Sequence, residues 1–433
     1  MKALRRFFLK PQFSSSNLRK ASTRSTFHFS LLTVTIVVLL TLFNTSLAES
    51  QSGIQLESVG ASYVFGEQIT FSAKIKSSIT IQSASIIISD EAQGTRYVEP
   101  LNVQADGSTE FRFDTKQNIL RPFTDVKWSY QFTLSDGSTV QSDSYSLRYV
   151  DNRFNWQTLE SGKLRVYWYN GDANFGQAAL DAAGSGLGSI SRLMALDLTQ
   201  PIEIYVFANT DDLHGTLVLG GEDWVAGHAD PALGVVMVAI EPGAEQNITM
   251  EQRIPHELMH VIMYRSLGAG YNNLPAWLRE GTATLAETYP NADYDRALAD
   301  ASASNRLIPL KDLCFSFPAD VGQAFLAYAE SRSFTNYLHD TYGSNGLLKL
   351  VGAYADGMDC ERGTESAFSV SLANLEVKWR TSVLGQNTLL SLLQNTSSYL
   401  VLLCLVLVIP LIGIASTMRK KGSPHEPGNN LRK

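Results

Sequence analysis

The sequence predicts a multi-domain protein: an N-terminal all-β immunoglobulin-like sandwich, then an α+β domain, then one C-terminal transmembrane helix. Three observations carry this. Short runs rich in β-branched and aromatic residues, set between turn signals, fill residues 50–150. From about residue 155, strand-like runs alternate with segments of helical period. Tyr399 to Thr417 is a stretch of 19 uncharged, mostly apolar residues, closely followed by Arg419-Lys420-Lys421.

The chain opens on a basic region (Lys2, Arg5, Arg6, Lys10, Arg19, Lys20, Arg24), followed by an uncharged run from Phe29 to Phe43 and the small-x-small pattern Ser46-Leu47-Ala48. These parts, in this order, describe a signal peptide over residues 1–48. An uncleaved signal anchor is the alternative. Arg5-Arg6 resembles a twin-arginine signal set some distance before the apolar run.

Residues 49–155 form the expected β-sandwich. Its strands are Ile69 to Ile75, Ile79 to Ile88, Thr109 to Phe113, Trp128 to Leu134 and Ser144 to Tyr149, with turns at Gly66-Glu67, Asp106-Gly107 and Asp136-Gly137. The Cys…Trp…Cys hallmark is missing, so the label describes architecture. Nothing in this domain carries chemistry; it reads as a spacer or stabilising domain, with a specific binding module as the alternative.

Residues 156–385 form the α+β domain. Leu164 to Tyr169 and Ile202 to Phe207 read as strands flanking a helical segment at 173–196, whose pattern is interrupted by Gly184, Gly186 and Gly188. Gly234 to Ile240 reads as a strand, either an edge strand able to align an extended peptide or an interior one. A helix from Thr249 or Pro255 to Gly268 follows, and another begins at Pro275. Helices at 322–341, closed by Gly343, and at 371–384 complete the domain. Residues 386–397 read as a stalk, 398–418 as the membrane helix and 419–433 as a cytoplasmic tail, with the ectodomain outside the cell membrane.

Charge narrows the partners. Residues 1–48 hold seven of the 35 Lys/Arg and no Asp/Glu, and 398–433 hold five Lys/Arg and one Glu. That leaves 23 Lys/Arg against 41 Asp/Glu in 49–397, a net of −18. Such a section is a poor partner for nucleic acid, because phosphate contacts need cations. Cys314 and Cys360 are the only cysteines of the exported part, where oxidising conditions favour a disulfide. Metal binding by the pair lacks CxxC-type partners.

The chemistry concentrates in Pro255-His256-Glu257-Leu258-Met259-His260. On a helix, residues four apart share a face, so His256 and His260 can address one metal ion while Glu257, offset by one residue, reaches a water on that metal. The apolar flanks Ile254, Leu258, Val261 and Ile262 suit a buried active-site helix. A catalytic zinc (Zn2+) needs a third protein ligand and an open position. Glu280 and Glu287 are the downstream candidates. Nineteen residues separate Glu280 from His260, room for a loop and a returning antiparallel helix, with Gly281 letting the two helices approach. Glu287, two turns further, reads as a surface residue. His214 and His228 read as surface or core histidines.

HELMH at 256–260 followed by WLREG at 277–281 resembles the gluzincin metallopeptidases, more narrowly the peptidase MA-like families with a W-x-x-E-G signature. The resemblance covers about 160–385, including the helix with Ala327-Tyr328-Ala329-Glu330-Ser331. It implies zinc on His256, His260 and Glu280, Glu257 as general base, and a protein or peptide substrate. Tyr328, by the same resemblance, is the candidate donor to the developing oxyanion, with His339 as the second candidate. One departure stands out: some gluzincins carry an acidic residue four after the third ligand, and here that position is Thr284. The partner orienting the histidines is therefore unidentified at this stage. Two readings follow: a membrane-anchored zinc metallopeptidase, an endopeptidase acting outside the membrane, or a catalytically inactive binding or adhesion protein built on the same fold. A third reading, with the metal helix inside the membrane, is disfavoured because no long apolar segment surrounds 256–280.

Overall fold

The computed structural model describes residues 53–90, 94–196, 198–217, 227–386, 399, 401–404 and 406–411. The expected signal peptide, most of the stalk and the tail lie outside these residues. Of the expected span, residues 401–404 and 406–411 are helical with exposed side chains. Among the described residues no helix is long and apolar enough to cross a membrane.

The N-terminal part is two antiparallel sheets face to face. One contains β1 (Ile54–Val64), β2 (Gln68–Ser77) and β5 (Ser108–Asp114) in the order β1-β2-β5. The other contains β4 (Thr95–Leu101), β3 (Ile81–Asp90), β6 (Asp125–Leu134) and β7 (Thr139–Gln141) in the order β4-β3-β6-β7, with β8 (Tyr145–Arg148) also paired to β6. Alternation drives the packing: Ile69, Phe71, Ala73 and Ile75 of β2 are buried while their neighbours point outward. Phe71 meets Trp128 across the layers at 5.1 Å between ring centroids. The sequence reading missed β1, β4 and β7. β1 and β4 are edge strands of mixed burial, and β4 carries Pro100, which an edge tolerates because it lacks an amide donor.

The second part begins with β9 (Gln157–Ser161) and β10 (Leu164–Trp168). A crossover helix, α1 (Ala173–Met194), returns the chain to β11 (Ile202–Phe207), parallel to β10. After α2 (Thr210–Leu217) come β12 (Gly227–Asp230) and β13 (Val235–Ala239), giving the sheet order β12-β13-β11-β10-β9. The strand expected at 234–240 is therefore interior, fully buried between β11 and β12; the edge belongs to β12, whose polar GHAD sequence gave no strand signal. The glycines of α1 prove to be packing sites. A Cβ on Gly186 would lie 2.9 Å from Pro255, and one on Gly176 would meet the Trp168 ring.

Helices cover the rest: α3 (Gln246–Leu267), α4 (Ala276–Ala286), α5 (Ala292–Ala303), α6 (Val321–Ala355), α7 (Cys360–Phe368) and α8 (Leu372–Ser382). The helix expected to close at Gly343 instead resumes. Gly343 adopts φ 70°, which only glycine takes without strain, so α6 is two helical segments across a kink. A disulfide joins Cys314 to Cys360 and ties the segment before α6 to the start of α7.

The two parts are clamped together. Arg121 reaches Asp230 on β12 at 3.0 Å, and Arg148 reaches Glu203 on β11 at 2.6 Å. Between them Phe123 stacks on Tyr205 at 3.9 Å, within a buried cluster that includes Phe207 and Met237.

Candidate metal centre

α3 presents one polar stripe from an otherwise buried body. Ile254, Leu258, Met259, Val261, Ile262 and Met263 anchor it in the core, which leaves His256 and Glu257 lining a cleft and His260 one turn on from His256. After Leu267 the chain turns through a 3-10 segment, Gly268–Asn273, with Gly268 at φ 57°. Pro275 then caps the start of α4, and Glu280 arrives just over one turn in.

The two histidines and Glu280 converge. His256 Nε2 lies 3.4 Å and His260 Nε2 3.6 Å from Glu280 Oε2, and the three donor atoms all fall within 4.8 Å of one another. Donors about 2.0–2.2 Å from a tetrahedral ion stand about 3.3–3.6 Å apart, so the spacing fits a metal without rearrangement. The electrostatics agree with a cation site. Glu280 is buried, which works against its charge, yet the two imidazoles hold its pKa well below the carboxylate range. Burial opposes a charged His256, but hydrogen bonds to Glu280 and Glu287 raise its pKa above the ordinary value. The cluster therefore draws positive charge to its centre.

The far side of each imidazole is also held. Glu287 Oε1 sits 3.2 Å from His256 Nδ1, and the Tyr271 hydroxyl sits 2.8 Å from His260 Nδ1. With Nε2 as the ligand atom, each Nδ1 keeps its proton and donates it to these oxygens, which fixes tautomer and ring orientation. This corrects two sequence readings. Glu287 is 8% exposed rather than a surface residue. It supplies the acidic partner missing at Thr284, whose hydroxyl instead donates to the backbone carbonyl of Glu280 at 2.8 Å. A signal existed: Glu287 follows Glu280 by seven residues, two turns along one helix face. Tyr271, in a loop, had none. Gly281 also acts differently from expectation. A Cβ there would come 2.5 Å from the Ser331 carbonyl and 2.2 Å from Thr335 Oγ1, so it admits α6 rather than α3.

The cleft measures about 340 Å³ and is lined by Gly227, Arg253, His256, Glu257, Glu287 and Tyr328, with an apolar wall from Val321, Ala324 and Phe325. Glu257 is 9% exposed, against the start of β12; a Cβ on Gly227 would stand 2.5 Å from its Oε1. Tyr328 packs edge-on to Phe317, with its ring 6.1 Å from that of His256, and burial pushes its hydroxyl pKa upward. His339 lies away from the cleft, 3.4 Å from Ser344 near the kink of α6. His214 and His228 are not among the lining residues either; His228 is exposed on β12.

Likeness to solved structures is slight. BC0361, a polysaccharide deacetylase from Bacillus cereus, is 10% identical over 46% of this chain and 65% of that one, with a TM-score of 0.20. OgpA from Akkermansia muciniphila is 22% identical over 23% of this chain and 30% of its own length, with a TM-score of 0.18. Overlaps this small bear on neither fold nor function. No match is found among the curated proteins. Residues 182–385 match the family model described as Peptidase MA superfamily. That segment holds His256, Glu257, His260, Glu280, Glu287 and Tyr328, and the match supports a peptidase MA-like domain and a peptidase-like enzyme.

Proposed function

We propose that this chain is a membrane-anchored, extracytoplasmic zinc metallopeptidase that hydrolyses peptide bonds. The observation that carries the reading is the convergence of His256, His260 and Glu280 on one point, with His256 and Glu257 lining one cleft, inside the matched segment. Two imidazoles and one carboxylate are the donor set of a catalytic zinc with a position left open. Zinc, when bound, supplies Lewis acidity toward a carbonyl and a water acidic enough to act near neutral pH. Glu257 takes the proton of the attacking water and returns it to the leaving nitrogen. Tyr328 stays protonated because burial disfavours its anion, so its hydroxyl can donate to the developing oxyanion. β12, the edge strand among the described residues and beside Glu257, offers its backbone to an extended peptide.

Anchoring rests on the uncharged run Tyr399 to Thr417 with its basic flank, and export on the basic–apolar–small pattern of residues 1–48. The reading is tested by metal analysis of the purified full chain and by peptide cleavage. Wild type should bind one zinc and cleave; Glu257→Gln should keep the metal and lose at least about a thousandfold in kcat. A zinc-loaded wild type that cleaves nothing in a broad peptide library would point to the inactive binding protein. Removal of residues 398–433 should release the protein from membranes, as fractionation reads; retention refutes the anchor.

A further inference from the structure

Arg253 stands one helical turn before Glu257, so both project from the same face of α3. It lines the metal cleft and also an adjoining depression of about 560 Å³ bordered by Asn209, Glu241 and Thr249. Its guanidinium thus sits at the junction of the two. One N–H donates to the carbonyl of Ala239 at the end of β13, which fixes the side chain in place. Four donors remain. Three other partly buried arginines meet a carboxylate, Arg121 with Asp230, Arg148 with Glu203 and Arg380 with Glu376, whereas Arg265 binds two backbone carbonyls. Arg253 pairs with no carboxylate among the described residues. Glu257 is the charge that acts on it, and the burial it suffers is not offset. Among the described residues lining the cleft it is also the only Lys or Arg. The two carboxylates among the described lining residues are engaged, Glu287 with His256 and Glu257 as the proposed base.

We propose that Arg253 is the specificity residue of this cleft and binds a carboxylate of the peptide substrate, either an acidic side chain or a free C-terminus. This rests on the peptidase reading above. A guanidinium already oriented by one backbone bond presents its fork at little entropic cost, and the fork matches a carboxylate in a way an ammonium does not. Beside it, Val321, Ala324 and Phe325 provide an apolar wall, so the favoured substrate carries an apolar side chain near the carboxylate.

The zinc-loaded full chain is assayed on N-acetylated, C-amidated octapeptides that carry Asp, or Asn in the same place, at each position in turn. One further pair differs only in a free or amidated C-terminus. Wild type should show kcat/KM at least about tenfold higher for the carboxylate member of one pair, the yield expected of one charge-assisted hydrogen bond. Discrimination in an Asp/Asn pair identifies a side chain; discrimination in the terminal pair identifies the C-terminus. Arg253→Gln should bring the ratio close to one, whatever its absolute rate, and Arg253→Lys should retain part of it. Cleavage by wild type with no preference in any pair overturns the assignment and leaves the peptidase reading standing. Where no peptide is cleaved, calorimetric binding of the same pairs to the Glu257→Gln protein decides. A carboxylate preference that Arg253→Gln abolishes supports the assignment, and equal affinities overturn it.

Discussion

Glu287 and Tyr271 show how single residues can orient the histidines of a candidate metal site from the outside. Each meets the outer nitrogen of one histidine, at 3.2 Å and 2.8 Å, and so determines which nitrogen faces inward. Removing such a contact frees the imidazole to rotate or change tautomer. Glu287→Ala should therefore weaken zinc affinity by about 10–100-fold, and Tyr271→Phe by less, because its contact is neutral. Competition against a chelator of known affinity checks both; unchanged affinity in Glu287→Ala would remove Glu287 from the site. The histidine pair and Glu257 were legible from HELMH alone, since helical periodicity is local. Glu280 was legible once a returning helix was assumed. Tyr271 was not, because its position depends on how the 268–273 turn folds back over α3.

At the scale of elements, the site depends on α4 lying between α3 and α6. Gly281 makes the second contact possible, with its missing side chain facing the Ser331 carbonyl and Thr335. In a free helix, alanine would be favoured over glycine by about 1 kcal/mol. Here the clash is with backbone, which cannot swing aside. Gly281→Ala should thus destabilise the domain by about 1–3 kcal/mol and lower zinc affinity by shifting Glu280. Thermal unfolding in the presence and absence of zinc measures the two effects; a raised Tm would show that α6 yields. The glycines of α1 teach the same lesson. In sequence they weaken a helical pattern, and in the fold Gly176 and Gly186 are where the sheet and α3 press closest.

Across the whole molecule, a pH dependence of stability is expected from a group set away from the histidine cluster. Glu330 is fully buried on α6; the Ile308 amide donates to its Oε1, while Oε2 has no partner among the described residues. Burial raises its pKa to about 8, with Arg380 pulling down and Glu376 pushing up. An unfolded glutamate releases its proton near pH 4.3. Between that pH and about 8 the folded state alone holds the proton, so stability falls as pH rises through this window, by up to about 1.4 kcal/mol per unit. Glu330→Gln should remove that slope and make the protein more stable than wild type at pH 8. Denaturant unfolding of both at pH 5 and pH 8 reads the difference; parallel curves would place the carboxylate's charge in a better-solvated environment. The β-sandwich contributes at this scale too, since Arg121 binds Asp230 on the edge strand that runs beside Glu257.

The sequence by itself determined the parts whose signals are local. These are the alternating strands β2, β3, β5 and β6, the helical spacing of His256 and His260, and the basic flank of the apolar C-terminal run. It also placed Pro275 at a helix start, because proline favours that position for reasons internal to its own ring. Only the tertiary structure decided what depends on neighbours distant in sequence. β12, not β13, became the sheet edge, because pairing order is a property of the assembled sheet. Glu287 became a buried partner of His256, because two turns of α4 bring it under α3. Gly281 met α6 rather than α3, because close approach depends on which helix packs there. A periodic pattern tells a residue which face it occupies; what lies across from that face is settled when the chain folds.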